Sequence, residues 1–97
     1  MKAVKRMEII LPSPALPDLL DLLERQQVPG YTLIRKVEGK GERGVQDGQG
    51  LTDTFRNSYV LVACDEAEIA RLQEPLRKLL HRNSGVCLVS DAMWLEH

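Results

Sequence analysis

Aromatic side chains are scarce: the 97 residues hold one Trp, two Tyr and one Phe. RNA-binding sheets stack bases on exposed rings, and the best strand-like run of this chain offers Tyr59 alone, with no basic excess around it. Nucleic acid is therefore not an expected partner. A formal net charge of −1 provides no global field to gather polyanions or an anionic membrane, so any ligand must be recognised locally. Histidine is nearly missing too. His81 is the one non-terminal copy, placed at a predicted helix end where it reads as a cationic terminus rather than a general base. Without a nucleophile–base or acid–base constellation, the chain is not expected to be an enzyme. Cys64 and Cys87 sit inside apolar runs, outside any C-x-x-C or Cys/His pairing, so they read as small buried hydrophobes and no metal site is expected. No apolar run approaches the roughly 18 residues of a membrane span. The start, Met1 to Arg6, has no apolar stretch behind its positive charges, and the expectation is a cytoplasmic protein without membrane insertion.

What the sequence does contain is one domain's worth of alternating strand and helix signals, assigned here to residues 1–97 as a single unit. "MEIIL", Met7 to Leu11, is a short apolar run stopped by Pro12 and predicts a strand. From Pro14 or Pro17 to Gln27, Leu16, Leu19, Leu20 and Leu23 recur at helical spacing, with Asp18 and Asp21 near the start. Behind the Pro29-Gly30 turn, Tyr31 to Val37 predicts a second strand, and Ser58 to Cys64 a third. Asp65 and Glu68 have the spacing of a capping box, followed by the apolar stripe Ile69, Leu72, Leu76, Leu79 and Leu80. Pro75 falls inside that helix and predicts a kink. Val86 to Ser90 predicts a fourth strand, with residues 92–97 as a tail whose Leu95-Glu96-His97 matches the start of a vector-encoded histidine tag. The order is βαββαβ, an α+β fold of the ferredoxin-like kind: an antiparallel four-stranded sheet with two helices on one face. Val60 to Cys64 and Val86 to Val89 do not alternate polar with apolar, so the face without helices also reads as dry. Other copies of the chain are expected to cover it.

Five of the seven glycines lie between the second and third strands, in "GKGERGVQDGQG", Gly39 to Gly50. Residues 39–57 show no periodicity, and so long a connection in a compact domain points to a functional loop. Gly39 to Gly44 spells G-x-G-x-x-G, yet no helix follows and no repeated βαβ unit exists, which excludes a dinucleotide fold. It is not a phosphate-binding P-loop either, because Ile34 stands at the first glycine position and Gly41 follows Lys40. General chemistry remains: glycines can turn N–H groups toward one anion, and Lys40 and Arg43 add cationic donors.

With this order, an oligomer and the long loop, the sequence resembles the PII-like signalling proteins. "GYT" at Gly30 to Thr32 and "GKGER" at Gly39 to Arg43 are similar to the bicarbonate-related branch, including the carboxysome-associated PII-like proteins. The resemblance implies a homotrimer with nucleotide sites in the clefts between subunits, closed by the T-loop, residues 39–57. Carried onto this chain, it implies Gly39, Lys40, Gly41 and Arg43 at the phosphates, with Thr32, Gly85, Val86 and Cys87 lining the base and ribose region. Arg43, Gly41 and Ser58 are the residues it implies for bicarbonate or another anion. The T-G-x-x-G-D-G-K pattern of the PII B-loop and the basic final strand are missing, which fits ADP or AMP better than ATP. The implied partner is a bicarbonate transporter or a carboxysome-related protein, reached by a T-loop that orders when nucleotide binds. The competing expectation is a trimeric interaction module without a small-molecule ligand.

Overall fold

Alternation decides which side of each strand meets the helices. In the computed structural model, which describes residues 1–38 and 56–97, the first strand β1 runs Lys2–Pro12 and buries Met7, Ile9 and Leu11 while turning Arg6, Glu8 and Ile10 to the other face. Pro12 ends it, and a single 3-10 turn, Ser13–Ala15, leads into α1, Leu16–Arg25. Pro17 sits in the first turn, where its missing N–H costs nothing, and Leu16, Leu19, Leu22 and Leu23 form the buried stripe. The chain leaves α1 through Gln27 in the left-handed conformation, φ 61°. β2 follows at Thr32–Val37 and carries an irregularity between Arg35 and Val37, with Lys36 also left-handed.

β3, Asn57–Cys64, alternates strictly: Ser58, Val60, Val62 and Cys64 are buried, and the residues between them are half-buried. The second helix α2, Glu66–Asn83, opens on the expected capping box. The Glu68 N–H donates to the Asp65 carboxylate and the Asp65 N–H to the Glu68 carboxylate, each at 2.8 Å. Pro75, where a kink was expected, lies within the continuous helix. Pro75 removes only the N–H that would reach the Arg71 carbonyl, and residues 66–83 stay in one helix. Leu72, Leu76, Leu79 and Leu80 face the core, Ser84 caps the end at φ 60°, and β4 spans Val86–Trp94.

The sheet order is β2-β3-β1-β4 with every neighbouring pair antiparallel, and one apolar cluster joins the inner sides of β1 and β3 to both helices. This is the ferredoxin-like architecture. Two expected boundaries need correction. The first strand starts at Lys2 rather than Met7, and the last continues to Trp94, so Ala92 to Trp94 is strand rather than tail. The two strands pair residue by residue from Ile10↔Val86 to Lys2↔Trp94, fastened by the Lys5–Asp91 ion pair at 2.5 Å and by Arg6 Nε donating to Ser90 Oγ at 3.1 Å. β3 ends opposite Lys5, so the ribbon beyond it has little core to face, and polar side chains suffice there. No helix among the described residues is long and apolar enough to cross a membrane.

The face away from the helices can be read off the register. Ile34, Tyr59, Ile10 and Val86 form one row across all four strands, and Thr32, Leu61, Glu8 and Leu88 form the next. Ala63, Arg6 and Ser90 follow, then Val4 with Ala92 and Lys2 with Trp94. Leu88 is 63% exposed and Ile34, Val86 and Trp94 about half exposed, so the chain alone leaves an apolar sheet face in water. It is not uniformly apolar, because Arg6 and Glu8 lie at its centre. Residues 39–55 of the expected ligand-gated loop, and with them Gly39, Lys40, Gly41 and Arg43, lie outside the described residues, and Asn57, expected in the loop, already belongs to β3.

Candidate functional site

Three connections meet at one end of the sheet. Val37 and Pro12 both pair with Asn57, so the end of β2, the start of β3 and the β1–α1 turn stand side by side. The Ser13 N–H donates to the Arg56 carbonyl, tying the turn to the start of β3. The α2–β4 connection arrives at the same end: a Cβ on Gly85 would lie 3.0 Å from the Ile10 carbonyl oxygen and 3.1 Å from the Leu11 Cβ. The Gly85 N–H donates to the Leu80 carbonyl at 3.0 Å and closes the helix.

Ser58 occupies this corner but has no exposed surface. Its hydroxyl is hydrogen-bonded to that of Ser13 at 2.8 Å, a pairing that satisfies a buried polar group and joins β3 to the turn. Val86 is about half exposed on the open face beside Ile10. Cys87 turns the other way, packs against the core, and pairs in register with Ile9. Burial, with a smaller contribution from Cys64, pushes its thiol up to about 11, so it stays protonated and unreactive at neutral pH. Burial likewise raises the Cys64 thiol. What Cys87 offers a ligand is its backbone rather than its sulfur.

Thr32 is exposed on β2, the opposite edge strand. Three strand-to-strand steps separate β2 from β4, about 14 Å. A single chain therefore does not bring Thr32 together with Gly85, Val86 and Cys87. Two chains would, if the β2 edge of one met the β4 edge of another.

Sequence reasoning passed over three cations at this end. Arg35, Lys36 and Arg56 are exposed beside the root of the 39–55 segment, and none has an ion-pair partner among the described residues. Arg35 pairs in register with Ser58, and the irregularity after it turns Lys36 out of the ladder. The signal was present in "IRKV" and in Arg56, but alternation in a strand hides which cations gather until the register is known. At the opposite end, a groove of about 510 Å³ lined by Ala3, Val4, Lys5, Asp65, Glu66, Asp91, Ala92 and Met93 opens beside the start of α2. Its acidic side chains make it a poor phosphate site. No group of His, Cys, Asp and Glu among the described residues could hold a metal ion.

Among the described residues this end thus offers a glycine packed against β1 and the exposed cations Arg35, Lys36 and Arg56, which suits an anionic ligand. Comparison with known proteins agrees with this architecture. No curated protein sequence matches the chain. Among solved structures, CPII from Thiomonas intermedia K12, a nitrogen regulatory PII-like protein bound to ADP, AMP and bicarbonate, is 27% identical, with a TM-score of 0.82 over 98% of this chain and 96% of that one. CPII bound to ADP and bicarbonate is 30% identical, with a TM-score of 0.79 over 95% of this chain and 88% of that one. The apo form of CPII is 26% identical, with a TM-score of 0.76 over 95% and 91%. The sequence profile of nitrogen regulatory protein P-II matches residues 4–96, nearly the whole chain, and the protein belongs to that family as a PII-like member.

Proposed function

We propose that this protein is a PII-like regulator, not an enzyme, that binds ADP or AMP together with bicarbonate in clefts between three copies of the chain. The observation that carries the proposal is the placement of Thr32 and Gly85 to Cys87 on opposite edges of one sheet, with an apolar face between them. Closing three such sheets on one another covers that face and brings each β2 edge to a neighbour's β4 edge. The similar CPII structures that hold ADP, AMP and bicarbonate support the choice of ligands.

In this reading the phosphates lie at the root of the 39–57 segment, where Lys40 and Arg43 join Arg35, Lys36 and Arg56, and Gly39 and Gly41 supply N–H donors. Bicarbonate sits beside Arg43 and Gly41. Ser58 acts indirectly, through the Ser13 hydroxyl that it holds. Binding orders the segment, which then controls a partner in inorganic carbon uptake or fixation, in the cytoplasm or at the carboxysome. Calorimetry with ADP, AMP, ATP and cyclic AMP, each with and without bicarbonate, tests this. ADP or AMP should bind, and bicarbonate should raise their affinity by the same factor by which they raise its own. Heat signals at the level of buffer for all four nucleotides would remove the proposal.

A further inference from the structure

The centre of the open sheet face carries charges that an assembly must accommodate. Arg6 and Glu8 project from β1, an inner strand, and Leu61, Ile10, Leu88 and Ala63 surround them in the register. Glu8 is already largely enclosed, its side chain 29% exposed in the isolated chain. The Tyr59 hydroxyl donates to one oxygen of the carboxylate at 2.8 Å, while Arg6 Nε stands 3.6 Å from the other and donates to Ser90 Oγ at 3.1 Å. That bond to the carboxylate, with burial adding to it, holds the Tyr59 phenol above its usual range and keeps it a donor. The two terminal amino groups of Arg6 have no partner among the described residues.

We propose that Arg6 and Glu8 fix the register in which copies of this chain close on their open sheet faces, Arg6 of one copy donating to Glu8 of the next. This rests on the assembly reading above and adds the residues that make the assembly specific. Apolar contact is non-directional, so a face of Ile34, Val86 and Leu88 alone would pack in many registers. Burying a guanidinium whose donors lack acceptors is costly, and only a register that sets a carboxylate against Arg6 avoids that cost. Glu8 has the capacity, since a carboxylate accepts about four hydrogen bonds and Tyr59 supplies one. A closed ring of three heterologous contacts gives every Arg6 a Glu8.

Light scattering over a dilution series tests the proposal with wild type, E8Q, R6E, E8R and the charge-swapped double variant R6E/E8R. Wild type should be assembled. E8Q, nearly isosteric, should keep the far-UV circular dichroism of wild type while raising the concentration needed for half-assembly on the order of a hundredfold. R6E and E8R, each with like charges on the face, should assemble poorly, and the charge-swapped R6E/E8R, which restores an opposite pair at all three contacts of the ring, should assemble better than either. E8Q assembling at the wild-type concentration would overturn the proposal while leaving the assembly reading intact. Failure of R6E/E8R, folded by circular dichroism, to assemble better than the single variants would do the same, and it decides the matter even if E8Q fails to fold. A monomeric wild type would instead overturn the assembly reading itself, and the proposal with it.

Discussion

Replacing Gly85 by Ala adds one methyl group where α2 hands over to β4, and the structure fixes what that methyl meets. It would stand 2.6 Å from Leu80 Cδ2, 3.0 Å from the Ile10 carbonyl oxygen and 3.1 Å from Leu11 Cβ, against an optimal carbon separation of about 3.5–4.0 Å. The Leu80 methyl can swing, although Leu80 is buried and must displace neighbours to do so. The other two atoms belong to β1, held by strands on both sides, and cannot give way cheaply. Overpacking of this kind costs about 1–3 kcal/mol. Each kcal/mol lowers Tm by about 4–8 °C in a domain of this size, so a loss of about 10 °C is expected. Gly30→Ala is the internal control, because nothing lies within 4 Å of its Cβ position. It should leave stability unchanged or raise it by up to about 1 kcal/mol through the unfolded chain, with Tm unchanged or slightly higher. Calorimetry of both variants, with urea midpoints at constant m, reads the difference. Equal Tm values for Gly85→Ala and Gly30→Ala would show that the close contact between the α2–β4 connection and β1 is wrong.

Other perturbations test the remaining supports. Asp65→Ala removes the carboxylate that accepts from the Glu68 N–H, while the Asp65 N–H keeps its bond to Glu68, and should cost about 0.5–2 kcal/mol in urea denaturation. Gln27→Gly relieves a left-handed non-glycine residue at the end of α1 and should raise the urea midpoint, the relief of about 1–2 kcal/mol exceeding the added freedom of the unfolded chain. The Cys87 thiol sits at about 11 in the folded chain against 9.0 when unperturbed, so the folded state holds its proton longer. Its contribution to stability is present below pH 9 and lost as pH rises to 11, and the urea midpoint of wild type should fall across that window more than that of Cys87→Ala. Arg43→Ala should weaken ADP or AMP binding by about 1.5–3 kcal/mol in calorimetry, the scale of a charge-assisted hydrogen bond, without changing the Tm of the unliganded protein.

Elements driven by local chemistry were legible in the sequence. The Asp65 and Glu68 spacing announced the start of α2, the leucines of α1 announced its buried stripe, and Ser58 to Cys64 announced a strand. The start of β1, before Met7, and the end of β4, after Ser90, were not legible, because Lys5 and Arg6 are held by Asp91 and Ser90 across the ladder rather than by a core. No apolar run marks a strand whose partner supplies the charge. The site was legible in part for the same reason. Thr32 and Gly85 to Cys87 could be named one by one, but their separation on opposite sheet edges appears only with the strand order. Ser58 read as an anion donor since a hydroxyl next to a loop carries no mark of burial, and the structure gives that hydroxyl to Ser13.

The central claim is that the nucleotide site exists only between chains, and native mass spectrometry of an ADP titration tests it most directly. Up to three ADP should bind a trimer and none should bind chains dissociated by dilution. One ADP bound to each isolated chain would contradict it, because Thr32 and Gly85 to Cys87 then could not belong to the same site.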